Sequence, residues 1–164
     1  KFVLSSQNNR IDVVNAVLNT KVAHDLPIKV ILSRVDSIIK FTKHDDFKIF
    51  LANFKRINNI LKSEKISIDK EFQVNIRIFE TIEEENIYDL INSFSIEINE
   101  KGNCENSQDV LIKKLITMNQ SITSFFDNVI VNHDDHSIKA NRLRLLKSLH
   151  NLMLKFSSFD FIED

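Results

Sequence analysis

A single glycine and a single proline serve all 164 residues of this chain. Sheet-rich folds turn often and tightly, and tight turns draw on Gly for positive φ and on Pro for a fixed one. With only Gly102 and Pro27 available, the chain reads as all-α, a helical bundle whose helices bury one stripe each. The length suits one domain with a sizeable core, so residues 1–164 are read as a single unit. Thirteen Phe supply bulk for that core.

The apolar spacing follows a helical period through most of the chain. A first helix is expected from about Asn9 to Ala23, capped by Asn8 or Asn9, with Ile11, Val14, Val17 and Leu18 buried. Asp25 is expected to cap a second, with Pro27 in its first turn, where a missing N–H costs nothing. Ile28, Ile31, Leu32, Val35, Ile38 and Ile39 carry it to about Phe41, leaving Arg34 and Lys40 off the stripe. Asp45 or Asp46 opens a third, buried through Phe47, Phe50, Leu51, Phe54, Ile57 and Leu61.

From Lys62 to Thr81 the helical period fails. Phe72, Val74, Ile76 and Ile78 alternate with polar residues, a strand signal without a partner. An extended linker packed on the helices is expected, with a short irregular helix as the alternative. Thr81 and Glu84 form a capping box that opens a fourth helix to about Ile98. Asn99 to Asn106 reads as a loop, and Ser107 as the cap of a fifth helix that breaks near Asn119–Thr123. An aromatic–acidic segment, Phe125 to Val131, then leads to a last helix capped by Asp134 or Asp135. Ile138, Leu145, Leu149, Leu152, Met153 and Phe156 make its apolar face.

Several chemistries lack their residues. Cys104 is alone, so an intrachain disulfide is impossible. There is no Gly-rich phosphate loop, no G-x-S-x-G and no H-E-x-x-H, and no catalytic residue is assigned. His133-Asp134-Asp135-His136 is the one compact ligand-like cluster, but it straddles a helix start, where Asp and His serve as caps, and no metal is expected there. His24, His44 and His150 are read as surface or hydrogen-bonded residues. No apolar run approaches the roughly 20 residues that cross a bilayer. The opening KFVLSSQNNR is too short in its apolar core for a signal peptide and lacks Met, so the chain is expected to be a piece of a longer one.

The net charge of −1 is unevenly spread. Residues 1–62 hold eleven Lys and Arg against five Asp and Glu, and residues 63–110 hold four against twelve. The third helix carries Lys48, Lys55, Asn59 and Lys62 on one polar stripe, a pattern that suits phosphates and base edges as well as plain solvation. Phe125 and Phe126 offer either stacking faces or core. Asp127 and Asn128 suit either base edges or capping. Arg142 suits a phosphate or a strut to Asp127.

Phe125-Phe126-Asp127-Asn128-Val129-Ile130-Val131, the acidic turn and Lys139-Ala140-Asn141-Arg142-Leu143 resemble the FFD-x-V-x-V element and R-x-NRL helix near the C-terminus of bacterial glycyl-tRNA synthetase β subunits. Phe54-Lys55-Arg56-Ile57-Asn58-Asn59-Ile60-Leu61 is similar to that family's KRV-x-NIL helix, Asp12-Val13-Val14-Asn15-Ala16-Val17-Leu18 to its D-I-x-x-AVL helix, and Arg34-Val35-Asp36-Ser37-Ile38 to its RVxAL helix. These stand in the family's order over nearly the whole chain. Lys139 stands where the family usually has Arg, losing bidentate geometry, and Phe54 where a smaller or polar residue is expected.

The resemblance implies an all-helical anticodon-binding domain similar to that of arginyl-tRNA synthetases, in a cytoplasmic enzyme. It implies tRNA-Gly as partner, and an α subunit that activates glycine with ATP in an α2β2 tetramer. This chain itself would need no cofactor, membrane or DNA. The residues so implicated in tRNA binding are Lys55, Arg56, Asn59, Lys62, Asp127, Asn128, Lys139, Asn141, Arg142 and Arg144. The competing expectations are a helical protein-interaction module that presents an apolar patch and binds no nucleic acid, and an arginyl-type anticodon domain, which Phe159-Asp160-Phe161-Ile162 fits less well.

Overall fold

The computed structural model describes residues 10–64 and 73–163. Six α-helices are found among them: α1 Ile11–Leu18, α2 Ile28–Thr42, α3 Phe47–Ser63, α4 Ile82–Lys101, α5 Gln108–Asn128 and α6 His136–Phe156. No strand occurs among the described residues. Single 3-10 turns lie at Ala23–Asp25, Ile76–Ile78, Glu105–Ser107 and Phe159–Phe161. The expected Asn8 or Asn9 cap and Phe72 lie outside the described residues, and α1 ends at Leu18 rather than Ala23.

The helix starts follow local chemistry, with some corrections. Asp25 does not cap α2. It sits in the preceding 3-10 turn, and Pro27 is the cap, its carbonyl accepting from the N–H of Val30 (2.9 Å) and Ile31 (3.2 Å). Thr81 and Glu84 do form the capping box, with Thr81 N–H on Glu84 Oε2 at 3.1 Å and Glu84 N–H on Thr81 Oγ1 at 3.4 Å. Asp135 caps α6 by accepting from Ser137 N–H at 2.7 Å and Ile138 N–H at 3.3 Å. Residues 73–80 are extended apart from one 3-10 turn, as a packed linker requires; Ile76 faces solvent while Val74 is half-buried.

α5 is the hub. It packs against α2, α3 and α4, while α6 packs against α3 and α4 and α1 rests on α2. Contrary to expectation, α5 does not break at Asn119–Thr123. Side chains there that would compete with the backbone are instead engaged across the seam with α3. Asn53 Nδ2 donates to Asn119 Oδ1 at 2.7 Å and to Thr123 Oγ1 at 3.0 Å, and Ile122 is fully buried.

The core is aromatic at one end. Phe50 meets Phe41 at 5.1 Å and Phe159 at 4.9 Å, both edge to face. Phe54, at a position where a smaller residue is expected, is fully buried and stacks on His150 at 5.1 Å. Phe159 is held in place as Ser158 N–H donates to Ala16 O at 2.9 Å. The two ends of the described chain are joined beside it: Arg10 Nη2 donates to Glu163 O at 3.2 Å, and Glu163 N–H to Asp12 Oδ2 at 3.2 Å.

The α4–α5 corner is organised by Arg34, which the period leaves off the buried stripe but which is only 2% exposed. It donates to Gln108 Oε1 (2.9 Å), Gly102 O (3.1 Å) and the last carbonyls of α6, Lys155 O (3.3 Å) and Phe156 O (3.4 Å). Those carbonyls have no partner within their own helix, so a buried cation supplies what the helix end lacks. Burial without a carboxylate lowers its pKa to about 10, still charged near neutrality. Gly102 is required at this corner: a Cβ there would stand 2.4 Å from the Ile98 carbonyl oxygen.

Candidate nucleic-acid interface

The residues singled out by sequence divide into two sets with different surroundings. Lys55, Arg56, Asn59 and Lys62 are all exposed on the outer face of α3, together with Lys48. Among the described residues, none of these four cations has a carboxylate within 4.0 Å. The stripe forms because the opposite face of α3 is taken up by Phe47, Phe50, Phe54, Ile57 and Leu61 in the core.

Arg56 differs from the lysines. Its guanidinium carbon lies 4.1 Å from the centroid of the Phe126 ring, a close cation–π contact that fixes the long side chain. Phe126 is thereby covered, and Phe125 is fully buried, so both rings belong to the core and neither is open to a base. Because α5 continues unbroken, Asp127 and Asn128 are its last two residues and are exposed. Asn128 Nδ2 donates back to Ser124 O at 2.9 Å, while its amide oxygen stays available on the surface.

α3 and α5 run side by side in the same direction. Asn53 meets Asn119 and Thr123, and one turn further along Arg56 meets Phe126. This register brings Arg56 and Asp127, 71 positions apart in the chain, to the same end of one seam. At the other end the seam opens into a groove of about 510 Å³ lined by Asp46, Ile49, Ile116, Asn119, Gln120 and Thr123. The residue types at Asn119–Thr123 signal a break in the sequence, which hides this polar wall.

The second set is built into the fold. Arg142 is 3% exposed and does not pair with Asp127. Its Nε donates to Glu84 Oε1 at 3.2 Å, Nη2 to Glu80 Oε2 at 2.8 Å and to Glu84 Oε2 at 3.3 Å, and Nη1 to Ile130 O at 3.0 Å. Burial alone would push the Glu84 carboxyl up, but Arg142 and the N–H groups of Glu80 and Thr81 hold it below the ordinary range. Asn141 is fully buried and clamps the linker, giving Nδ2 to Asn75 O at 3.0 Å and accepting from Asn75 N–H at 2.8 Å. Lys139 pairs with Glu64 at 3.0 Å, and Arg144 is half-buried on α6.

At the α5–α6 turn, His133 Nδ1 accepts from Asp135 N–H at 3.0 Å, and its Nε2 is 3.7 Å from Glu80. Among the described residues no group of three or more His, Cys, Asp or Glu is placed to hold a metal. No helix among them is long and apolar enough to cross a membrane.

Residues 50–156 match the sequence model of the family described as the DALR anticodon binding domain. The chain is 32% identical over 160 residues to the glycine–tRNA ligase beta subunit of Rickettsia bellii, covering 98% of this chain and 22% of that protein. Over 153 residues it is 31% identical to the subunit of the same name from Halothermothrix orenii, covering 92% and 21%. Over 127 residues it is 31% identical to that from Thermodesulfovibrio yellowstonii, covering 77% and 18%. The chain thus spans about a fifth of the length of these curated relatives.

Proposed function

Because the chain belongs to the DALR anticodon binding domain family, we propose that it serves as the anticodon-binding domain of a glycine–tRNA ligase β subunit, holding tRNA-Gly while an α subunit attaches glycine. The observation that carries this reading is the set of exposed cations Lys55, Arg56 and Lys62 on α3, free of carboxylate partners among the described residues and lying within the matched span. Cations already paired with carboxylates gain little from a phosphate; unpaired exposed ones exchange only counterions for it.

The mechanism is positioning. Lys55, Arg56 and Lys62 hold phosphates of the anticodon arm, with Arg56 pre-oriented on Phe126. Asn59, Asp127 and Asn128 offer amide and carboxylate groups to base edges exposed in a single-stranded loop. Arg144, and Lys139 once exchanged from Glu64, extend the contact along α6. Asn141 and Arg142 act from behind, fixing the linker and the start of α4. ATP is consumed by the α subunit in a cytoplasmic α2β2 assembly, and this domain contributes no reacting group.

The test is glycylation by the complete ligase of tRNA-Gly transcripts in which either of the two anticodon cytosines is replaced by uracil. Each replacement is expected to lower kcat/KM by about tenfold or more, the worth of one well-read base. Unchanged kcat/KM for both altered transcripts would overturn the reading. A partner-docking module is less well supported: the exposed large apolar residues, among them Ile11, Ile28, Ile49, Ile96, Val110 and Phe161, are dispersed over different elements.

A further inference from the structure

α4 buries one side against α5 and α6 and leaves the other open. The open side is a narrow stripe. Ile82, Glu85, Asp89, Ile96 and Glu100 are all exposed, and at 3.6 residues per turn they fall within roughly 60° of the helix circumference. Ile82 and Ile96 are 60% and 57% exposed, so two large apolar side chains stand in water on one line, about 21 Å apart along the axis. Carboxylates stand between and beyond them. Among the described residues, none of Glu85, Asp89 and Glu100 has a cation within 4.0 Å, and Lys101, the one Lys of the helix, lies toward Glu97 instead. A stripe of this charge repels phosphate. It also lies away from the α3 cations: α5 and α6 each pack against both α3 and α4, which do not pack on one another, so the two outward faces look in opposite directions.

We propose that the outward stripe of α4 is a docking face for a basic, partly apolar surface in the part of its own polypeptide outside this domain. The inference goes beyond the anticodon-binding reading and does not depend on it. Three observations favour this occupant. The stripe's chemistry calls for Lys or Arg opposite Glu85 and Asp89, bracketed by apolar side chains over Ile82 and Ile96. Its size calls for a tether. A stripe about 27 Å long and one side chain wide offers roughly 300 Å². That is well below the ~800 Å² per partner of free association, and at the low end for domains joined by one chain, where the tether supplies the effective concentration that area does not. A second copy of this chain would bring the α3 cations, but as a free partner it meets the same area requirement. Finally, the curated relatives carry about four-fifths of their length outside the part this chain matches, which leaves ample chain to supply the surface.

The test is carboxyl footprinting of the complete ligase without tRNA, using carbodiimide and glycine ethyl ester with mass-spectrometric readout. Asp45 and Asp134, exposed outside α4, are internal references. Glu85 and Asp89 are expected to label at least about tenfold more slowly than the references, as a tethered contact closed about nine-tenths of the time requires. Carbodiimide alone is expected to join Glu85 or Asp89 to Lys residues of the same polypeptide outside this domain. Asp89→Lys and Ile96→Ser, both at exposed positions, are each expected to restore Glu85 labelling to the reference rate with the helical circular dichroism unchanged. Wild-type labelling of Glu85 and Asp89 at the reference rate would overturn the docking face. So would protection that survives both variants, or links that run to another polypeptide. None of these readouts involves tRNA, so their failure leaves the anticodon-binding reading where it stands.

Discussion

At the scale of single residues, Arg142 and His150 show two ways a buried polar group settles. Arg142 is matched by Glu84, which is fully buried, and by Glu80. Removing one partner of such a pair strands a charge in low dielectric, whereas replacing both by apolar groups is often tolerated. Arg142→Met is therefore expected to cost about 3–5 kcal/mol in urea unfolding, and Arg142→Met with Glu84→Leu to recover most of it. His150 has no such match. It is 1% exposed, stacked on Phe54, and neither ring nitrogen has a hydrogen-bond partner. Burial lowers its pKa, Lys62 adds to that, and Asp160 opposes it. With the folded value below the ordinary one near 6.5, the unfolded chain takes up the proton first. Stability is full above about pH 6.5 and falls as pH drops through the interval down to the folded value. Thermal melts from neutral to mildly acidic pH are expected to show this fall, and His150→Phe to flatten it.

Among the elements, what is legible in the sequence is what is local. The Thr81–Glu84 capping box spans three residues and is found as read. Thr81→Ala is expected to cost about 1 kcal/mol, measured by urea unfolding, because it orphans one N–H of the first turn. The apolar stripe of α3 is equally readable, since period and burial coincide there, whereas α6 buries Asn141, Arg142, Lys147 and His150 besides its stripe. What cannot be read is what a partner element decides. The amides and hydroxyls at Asn119–Thr123 signal a break only while their partner, Asn53, is unknown. Arg34 sits off its helix's apolar stripe, yet the carbonyl ends of α6 bury it. Asp127 suggests itself as a partner for Arg142 by proximity in sequence. The actual partner lies 58 positions away, and no local pattern announces it. The same division holds for the interface: the α3 stripe is visible as a period, and the α3–α5 groove is not.

For the molecule as a whole, a net charge of −1 conceals a cationic face, because the acidic side chains are used elsewhere. Glu80 and Glu84 neutralise Arg142, Glu97 pairs with Lys114 at 3.1 Å, and Asp109 pairs with Lys40 at 3.2 Å. Affinity for RNA should then depend on salt chiefly through the α3 cations. Replacing Lys55, Arg56 and Lys62 together by Ala in the complete ligase is expected to reduce the slope of log affinity against log salt by about 3, since each cation neutralises one phosphate and displaces roughly one counterion. Filter binding of tRNA-Gly between low and moderate salt checks it.

The link between the chain's ends has a mechanical consequence. Arg10, Asp12 and Glu163 are joined by two hydrogen bonds of 3.2 Å on the protein surface, beside the plug formed by Phe159. Polypeptide entering at residue 10 and leaving at residue 163 therefore does so from neighbouring points. A pull on both strands acts on those two bonds and then on the Ser158–Ala16 bond, one after another, as a zipper is opened.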